Sequence, residues 1–102
     1  MKTYIVRISN EAYFDIENLQ YIITEKYKSP ITAKRYVSGI INQLNSLSYS
    51  ADSYSISTSK SFFKYGISVR RINYKKMAII YTISGNLVVI QRIIPGALFT
   101  EL

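Results

Sequence analysis

Positively charged and aromatic residues alternate along the second half of the chain, and their types and spacing point to chemistry. Cationic side chains bind phosphates and aromatic rings stack on nucleobases, so this pattern predicts a surface for a phosphate-bearing target. Lys64, Tyr65 and Tyr74 belong to the same pattern. The candidate target-binding or phosphate-binding residues are Arg70, Arg71, Lys75, Lys76, Tyr81 and Arg92.

Arg70 and Arg71 are adjacent in the sequence, and adjacent residues of a strand point to opposite faces of a sheet. Only one of them can therefore contribute to a given surface. The other must reach solvent, an acid or a helical layer. For Arg71 we weigh a target-binding role against a partly buried structural role, paired with an acid of the first helix.

Several kinds of catalytic site are excluded by composition. The chain has no histidine, so neither a Ser-His-Asp triad nor a histidine metal site can form. It has no cysteine, so disulfides and thiolate metal sites are excluded and we expect a reducing, cytoplasmic location. The few acids do not suggest a paired-carboxylate site. We expect no metal and no cofactor, and the catalytic residues stay unassigned.

The charge is unevenly distributed over a chain of 102 residues, a length that predicts one domain. The net charge is +7, and the stretch from Lys26 to Thr100 contains eleven Lys and Arg residues but a single acid, Asp52. This predicts a positive field that attracts an acidic peptide or a nucleic acid, although a solvated basic surface is the alternative. Arg7 interrupts the apolar start, and we expect neither a signal peptide nor a membrane span.

Two amphipathic helices are predicted to follow a first strand over Thr3–Ser9. Ser9 or Asn10 can cap a helix that runs to about Tyr27, and Ser29-Pro30 begins a second one that runs to about Leu47. Each helix has one apolar face, so we expect an antiparallel hairpin packed on a sheet. The faces consist of Ala12, Ile16, Leu19 and Ile23 in the first helix, and Ala33, Val37, Ile40, Leu44 and Leu47 in the second.

Three strands are predicted after a serine-rich connection over Ser48–Gly66, which we expect to be partly extended. They cover residues 65–73, 77–83 and 87–94. The turns between them are Tyr74-Lys75-Lys76 and Ser84-Gly85-Asn86, and Gly-Asn between apolar runs is typical of a hairpin. The predicted fold is α+β with the order β-α-α-β-β-β and a small, mostly antiparallel sheet.

This order, together with two local motifs, resembles the RelE/ParE superfamily of toxins from bacterial type II toxin-antitoxin systems. The first motif is Ser29-Pro30-Ile31-Thr32-Ala33 at the start of the second helix. The second is Val69-Arg70-Arg71-Ile72 ahead of Ile79-Ile80-Tyr81. Both motifs are more similar to the ParE branch, and the likeness extends from Tyr4 to Gly96. It implies a cognate antitoxin as partner, in a toxin-antitoxin hetero-oligomer.

The resemblance implies two modes of growth inhibition. ParE-like toxins bind DNA gyrase and arrest it on cleaved DNA, whereas RelE-like toxins cleave mRNA on the ribosome. The RelE-like chemistry often uses an arginine where this chain has Ala78, and a histidine where it has Pro95. Gyrase binding is therefore preferred. The alternatives are a ribosome-dependent mRNA endonuclease that uses the candidate cations, and an inactive relative that only binds antitoxin and modulates transcription.

Overall fold

A helical hairpin packs on a four-stranded sheet in the computed structural model, which describes residues 3–57 and 64–96. The predicted order of elements is confirmed. Residues 58–63 of the serine-rich connection and Ala97–Phe99 after the last strand lie outside the described residues. The elements are β1 (Ile5–Ile8), α1 (Asn10–Tyr27), α2 (Pro30–Ser50), a 3-10 turn (Ala51–Ser53), β2 (Arg70–Tyr74), β3 (Met77–Ser84) and β4 (Leu87–Pro95).

Serine side chains cap both helices at their predicted starts. The Ser9 hydroxyl accepts a hydrogen bond from the Ala12 N–H at 3.0 Å, and the Ser29 hydroxyl accepts one from Thr32 at 3.2 Å. Helix α2 continues to Ser50, so the prediction that a loop begins at Ser48 was wrong. The serine-rich composition of residues 48–50 did not indicate a helix. There the Ser50 hydroxyl donates to the Ser46 carbonyl at 2.8 Å, within the last turn of α2.

The strand order in the sheet is β1-β4-β3-β2. Strand β1 is parallel to β4, while the β2–β3 and β3–β4 pairs are antiparallel, as expected of a mostly antiparallel sheet. Strand β2 begins at Arg70, five residues after its predicted start at Tyr65. Gly66 and Ser68 have φ values of 125° and 60°, which are incompatible with a continuous strand.

The main core lies between the helices and one face of the sheet, and most of the predicted helix faces contribute to it. Ile40, Leu44 and Leu47 of α2 are fully buried there, against Ile79 and Tyr81 of the sheet. A smaller cluster on the opposite face contains Val69, Ala78, Ile80 and Ile94. Within residues 3–57 and 64–96, no helix has the length and apolar character needed to cross a membrane.

Candidate functional site

Helix α1 takes the place of a strand along the second half of β4. Strand β1 pairs with β4 only as far as Ile90, so the following residues of β4 lack a neighbouring strand on that side. The Ser9 N–H donates to the Ile90 carbonyl at 3.0 Å, and the Ser9 hydroxyl donates to the Gln91 carbonyl at 3.0 Å. These contacts satisfy backbone groups that an open edge would leave exposed.

Asp15, six residues after Ser9, continues this interaction further along α1. Its carboxylate accepts from the Ile93 N–H at 2.9 Å and from Nε and Nη2 of Arg92 at 2.7 and 3.0 Å. The Arg92 and Asp15 side chains are 30% and 11% exposed. The hydrogen bond with Asp15 raises the pKa of Arg92 above its ordinary value. Arg92 is thus held by an internal acid.

Arg70 is held by backbone carbonyls at the other edge of the sheet. Its Nη1 donates to the carbonyls of Asp52, at 3.2 Å, and of Tyr54. The Ser57 N–H donates to the Val69 carbonyl at 2.7 Å, just before Arg70 in the chain. Arg70 therefore tethers the segment that follows α2 to the start of β2.

Arg71 does not pair with an acid of the first helix, so the structural pairing weighed for it was wrong. Its Nε donates to the Asn73 side chain at 2.9 Å, two residues along the same strand. The helix-one acid that takes an arginine partner is Asp15, and its partner is Arg92. The sequence could not distinguish these arginines, because the choice depends on which strand lies beside α1.

Tyr81 is fully buried in the main core. Its hydroxyl donates to the Ala51 carbonyl at 2.6 Å, and burial raises its pKa above the ordinary value. The prediction that its ring stacks on a nucleobase was therefore wrong, since no part of the side chain is exposed. Tyr81 instead joins β3 to the end of α2.

Lys75 and Lys76 are the candidate cations that remain exposed, and they form the two-residue turn between β2 and β3. The Lys75 ammonium lies 5.2 Å from the centre of the Tyr36 ring and 5.5 Å from that of Tyr74. Burial raises the pKa of Tyr36. Both lysines line a hollow of about 450 Å³ between this turn and the helical hairpin.

The six candidates thus do not form one constellation. Arg70 and Arg92 lie at different edges of the sheet, and Arg71 bonds to Asn73 of its own strand. Tyr81 is internal, and the two lysines are at the turn. Among residues 3–57 and 64–96, no group of three or more acids, histidines or cysteines is placed to hold a metal ion.

Sequence reasoning missed Asp15 and Tyr36. Asp15 immediately precedes Ile16 of the apolar face, and an acid next to a buried position is a weak signal of an internal cation partner. Tyr36 precedes Val37 of the second apolar face and packs edge to face on Tyr74, with the ring centres 5.3 Å apart. Nothing in its local pattern indicated a lysine over its ring.

No protein-family model matches the sequence, and no curated protein matches it either. A solved structure described as "Chromosomal ParDE TA system from P. aeruginosa" does match in fold, with a TM-score of 0.75 at 17% identity. The match covers 91% of this chain and 96% of that chain. The resemblance read from the sequence is therefore confirmed at the level of the fold, which this chain shares with a chain of that ParDE structure.

Proposed function

We propose that this chain is the toxin of a type II toxin-antitoxin pair, kept inactive by a cognate antitoxin. The observation that carries the proposal is the fold, which matches nearly the whole of a chain from a ParDE system. The net charge of +7 supports an acidic protein partner, because a positive field accelerates encounter with one and disfavours basic competitors.

ParE-like poisoning of DNA gyrase is the mode of action that we prefer. Such an action needs a binding surface and no catalytic group of its own. The geometry supports it because Arg92 is engaged by Asp15, Arg70 by two carbonyls, and Tyr81 is buried. An endonuclease would need cations and an acid free to act on the transferring phosphate.

A RelE-like mRNA endonuclease is the second candidate, and one observation favours it. Lys75 and Lys76 are exposed beside Tyr74 and Tyr36, an arrangement that can bind a phosphate and a base together. In this mode the lysines would take the place of the arginine absent at Ala78. The third candidate is a relative that has lost toxicity, binds antitoxin and modulates transcription.

Pulse incorporation of labelled thymidine and leucine tests these modes after induction of the chain without antitoxin in a bacterial host. Early loss of thymidine incorporation is the expected result, because gyrase arrest stops replication first. Early loss of leucine incorporation would favour the endonuclease. Unchanged growth and incorporation, with the protein present and folded, would overturn the toxin proposal and favour the binding-only relative.

A further inference from the structure

The outer face of the helical hairpin, on the side away from the sheet, carries large apolar side chains in contact with solvent. They lie opposite the buried positions of each helix, such as Ile16 in α1 and Leu44 in α2. Four of them are between 60% and 69% exposed, namely Phe14, Tyr21, Ile31 and Tyr49. Exposed apolar side chains that gather on one face mark a protein interaction surface, because a partner removes them from water.

The charges of this outer face are separated by helix. Glu17 and Glu25 are exposed on α1, whereas Arg35 is exposed on α2 with Lys34 next to it in the sequence. Helix α2 contains no acid along its whole length. Within residues 3–57 and 64–96, neither Glu17 nor Arg35 forms an ion pair, and Glu25 faces only the exposed Lys28, at 3.9 Å. The outer face therefore has an acidic half and a basic half, both largely uncompensated.

The positions of these residues along the hairpin match across the two helices. Counted from the turn at Lys28-Ser29 with a rise of about 1.5 Å per residue, Tyr21 and Arg35 both lie about 10 Å from the tip. Glu17 and Glu25 lie about one helical turn to either side of Tyr21. A cation placed opposite this stretch of α1 would meet an aromatic ring with an acid on each side of it.

We propose that the outer face binds a second copy of this chain and forms a four-helix bundle. A two-fold axis parallel to the helices, in the plane of contact, places α1 of one copy against α2 of the other, antiparallel and at the same distance from the tip. Arg35 then faces Tyr21 of the partner subunit, between the partner's Glu17 and the partner's Glu25. Symmetry makes this contact twice, so each copy offers its acidic half to the basic half of the other.

The two halves of the face decide in favour of a second copy over other partners. An acidic protein or a nucleic acid would meet the uncompensated carboxylates of α1, and a basic protein would meet Arg35. A copy of the same chain satisfies both halves, because the axis exchanges them. The inference goes beyond the proposed function and does not depend on toxicity, since it uses only residues of the hairpin.

The size of the face predicts a weak, concentration-dependent dimer. Helix α1 has 18 residues, so the face is about 27 Å long and, for two helices, about 20 Å wide, or on the order of 500 Å² per copy. This is less than the roughly 800 Å² per partner of a stable complex. The net charge of +7 on each copy also opposes association, although physiological salt screens charges more than about 8 Å apart. We expect a dissociation constant on the order of 10–100 µM.

Two charge variants separate the contact from the effect of net charge. R35E reverses the cation of the outer face, while R7E makes the same change at an exposed position of β1, outside the helices. Both lower the formal net charge from +7 to +5, since each replaces one positive charge by a negative one. Lower net charge weakens the repulsion between copies, so R7E should dimerise as well as the parent chain or slightly better. R35E should raise the dissociation constant at least about tenfold.

An exchange of charge between copies gives a sharper test. E17K/E25K reverses both acids of the face and raises the formal net charge from +7 to +11, so on its own it should be monomeric. In an equimolar mixture with R35E, one contact keeps its original signs and the other has them exchanged, so the mixed dimer should form. Both variants are positive overall, so general attraction would not produce this result. Circular dichroism first establishes that each variant folds.

Tyr21 and Ile67 provide a matched pair for the apolar part of the face. Tyr21 is 66% exposed on the outer face, and Ile67 is 91% exposed in the segment before β2, outside the helices. Y21S should raise the dissociation constant about tenfold, because it removes the central ring of the contact together with the surface that Arg35 covers. I67S should leave it within about twofold of the parent chain.

Sedimentation equilibrium of the purified chain, at roughly 5 to 500 µM, measures these constants. A parent chain that stays monomeric at the upper concentration would overturn the proposal. A dimer that R35E and Y21S leave intact would place the contact on another face and overturn it as well. Equal weakening by R35E and R7E would assign the association to net charge instead. A mixture of R35E and E17K/E25K that stays monomeric would refute the pairing of α1 with α2 across the axis.

Discussion

Replacing Asp15 by alanine removes a carboxylate that has two partners, one backbone N–H and one arginine side chain. It accepts a hydrogen bond from the Ile93 N–H and two from the Arg92 guanidinium. We expect D15A to be the most destabilising change of any single acid in the part of the chain described, 3–57 and 64–96. The loss comes from the side of β4 that faces α1, where no strand pairs with Ile93; strand β3 pairs with it on the other side.

The size of the effect follows from the exposure of each partner. Ile93 is 2% exposed, so its N–H loses its partner with little access to water, at a cost of about 1–3 kcal/mol. Arg92 is 30% exposed, so water replaces part of what its guanidinium loses and that loss is about 1 kcal/mol. The sum for D15A is about 2–4 kcal/mol. The D15N variant keeps an oxygen for the Ile93 N–H, and should cost about 1–2 kcal/mol.

Urea denaturation followed by circular dichroism measures these differences. At the slope usual for a small protein, D15A should lower the midpoint by roughly 1–2 M. E25A is the control, because Glu25 faces Lys28 at 3.9 Å between exposed side chains and should cost within about 0.5 kcal/mol. Hydrogen exchange at the Ile93 amide should accelerate in D15A and much less in D15N. A D15A midpoint equal to that of E25A, with unchanged exchange, would refute the reasoning.

Three further changes test other contacts. Y81F should cost about 1–2 kcal/mol in urea denaturation at neutral pH, because it removes the hydrogen bond to the Ala51 carbonyl. The pKa of Tyr81 is raised in the folded chain, so the unfolded chain loses the phenol proton first as the pH rises. The parent chain should therefore lose stability above about pH 10, and Y81F should lose less. G39A should lower the thermal midpoint of unfolding, because a Cβ there would lie 1.8 Å from the Tyr74 hydroxyl oxygen. In a Y74A background, G39A should be neutral or stabilising, and destabilisation in both backgrounds would contradict this. S9A should cost about 1–2 kcal/mol in chemical denaturation, because the Ser9 hydroxyl both caps α1 and bonds to β4. S29A should cost about half as much, because the Ser29 cap is exposed, and equal losses would contradict this.

The order of elements and the helix starts were predictable because they depend on local chemistry. Ser9 and Ser29 cap their helices through their own hydroxyls, within three residues along the chain. Pro30 fixes the first turn of α2. The apolar spacing in both helices placed one face on the core, and the Gly85-Asn86 turn joined β3 to β4 as expected.

The roles of the arginines were not predictable, because each depends on a partner far along the chain. Arg92 meets Asp15 across 77 residues, and Arg70 meets the Asp52 carbonyl across 18. A sequence shows that a cation is present but not whether the fold brings an acid to it. The β-bulge near Ile80 and Tyr81, where the register of β3 against β4 shifts, is likewise a result of packing that no local pattern indicated.

These placements change the test that the sequence alone would suggest for the functional face. Replacing Arg70 and Arg92 together by alanine removes a tether to the segment after α2 and an ion pair with α1, so a loss of the proposed toxicity would report on folding as much as on target binding. Lys75 and Lys76 lie at an exposed turn, and changing them disturbs fewer internal contacts. A surface that acts by binding should therefore be sought first at this turn and the adjoining hollow, where side chains retain both exposure and charge.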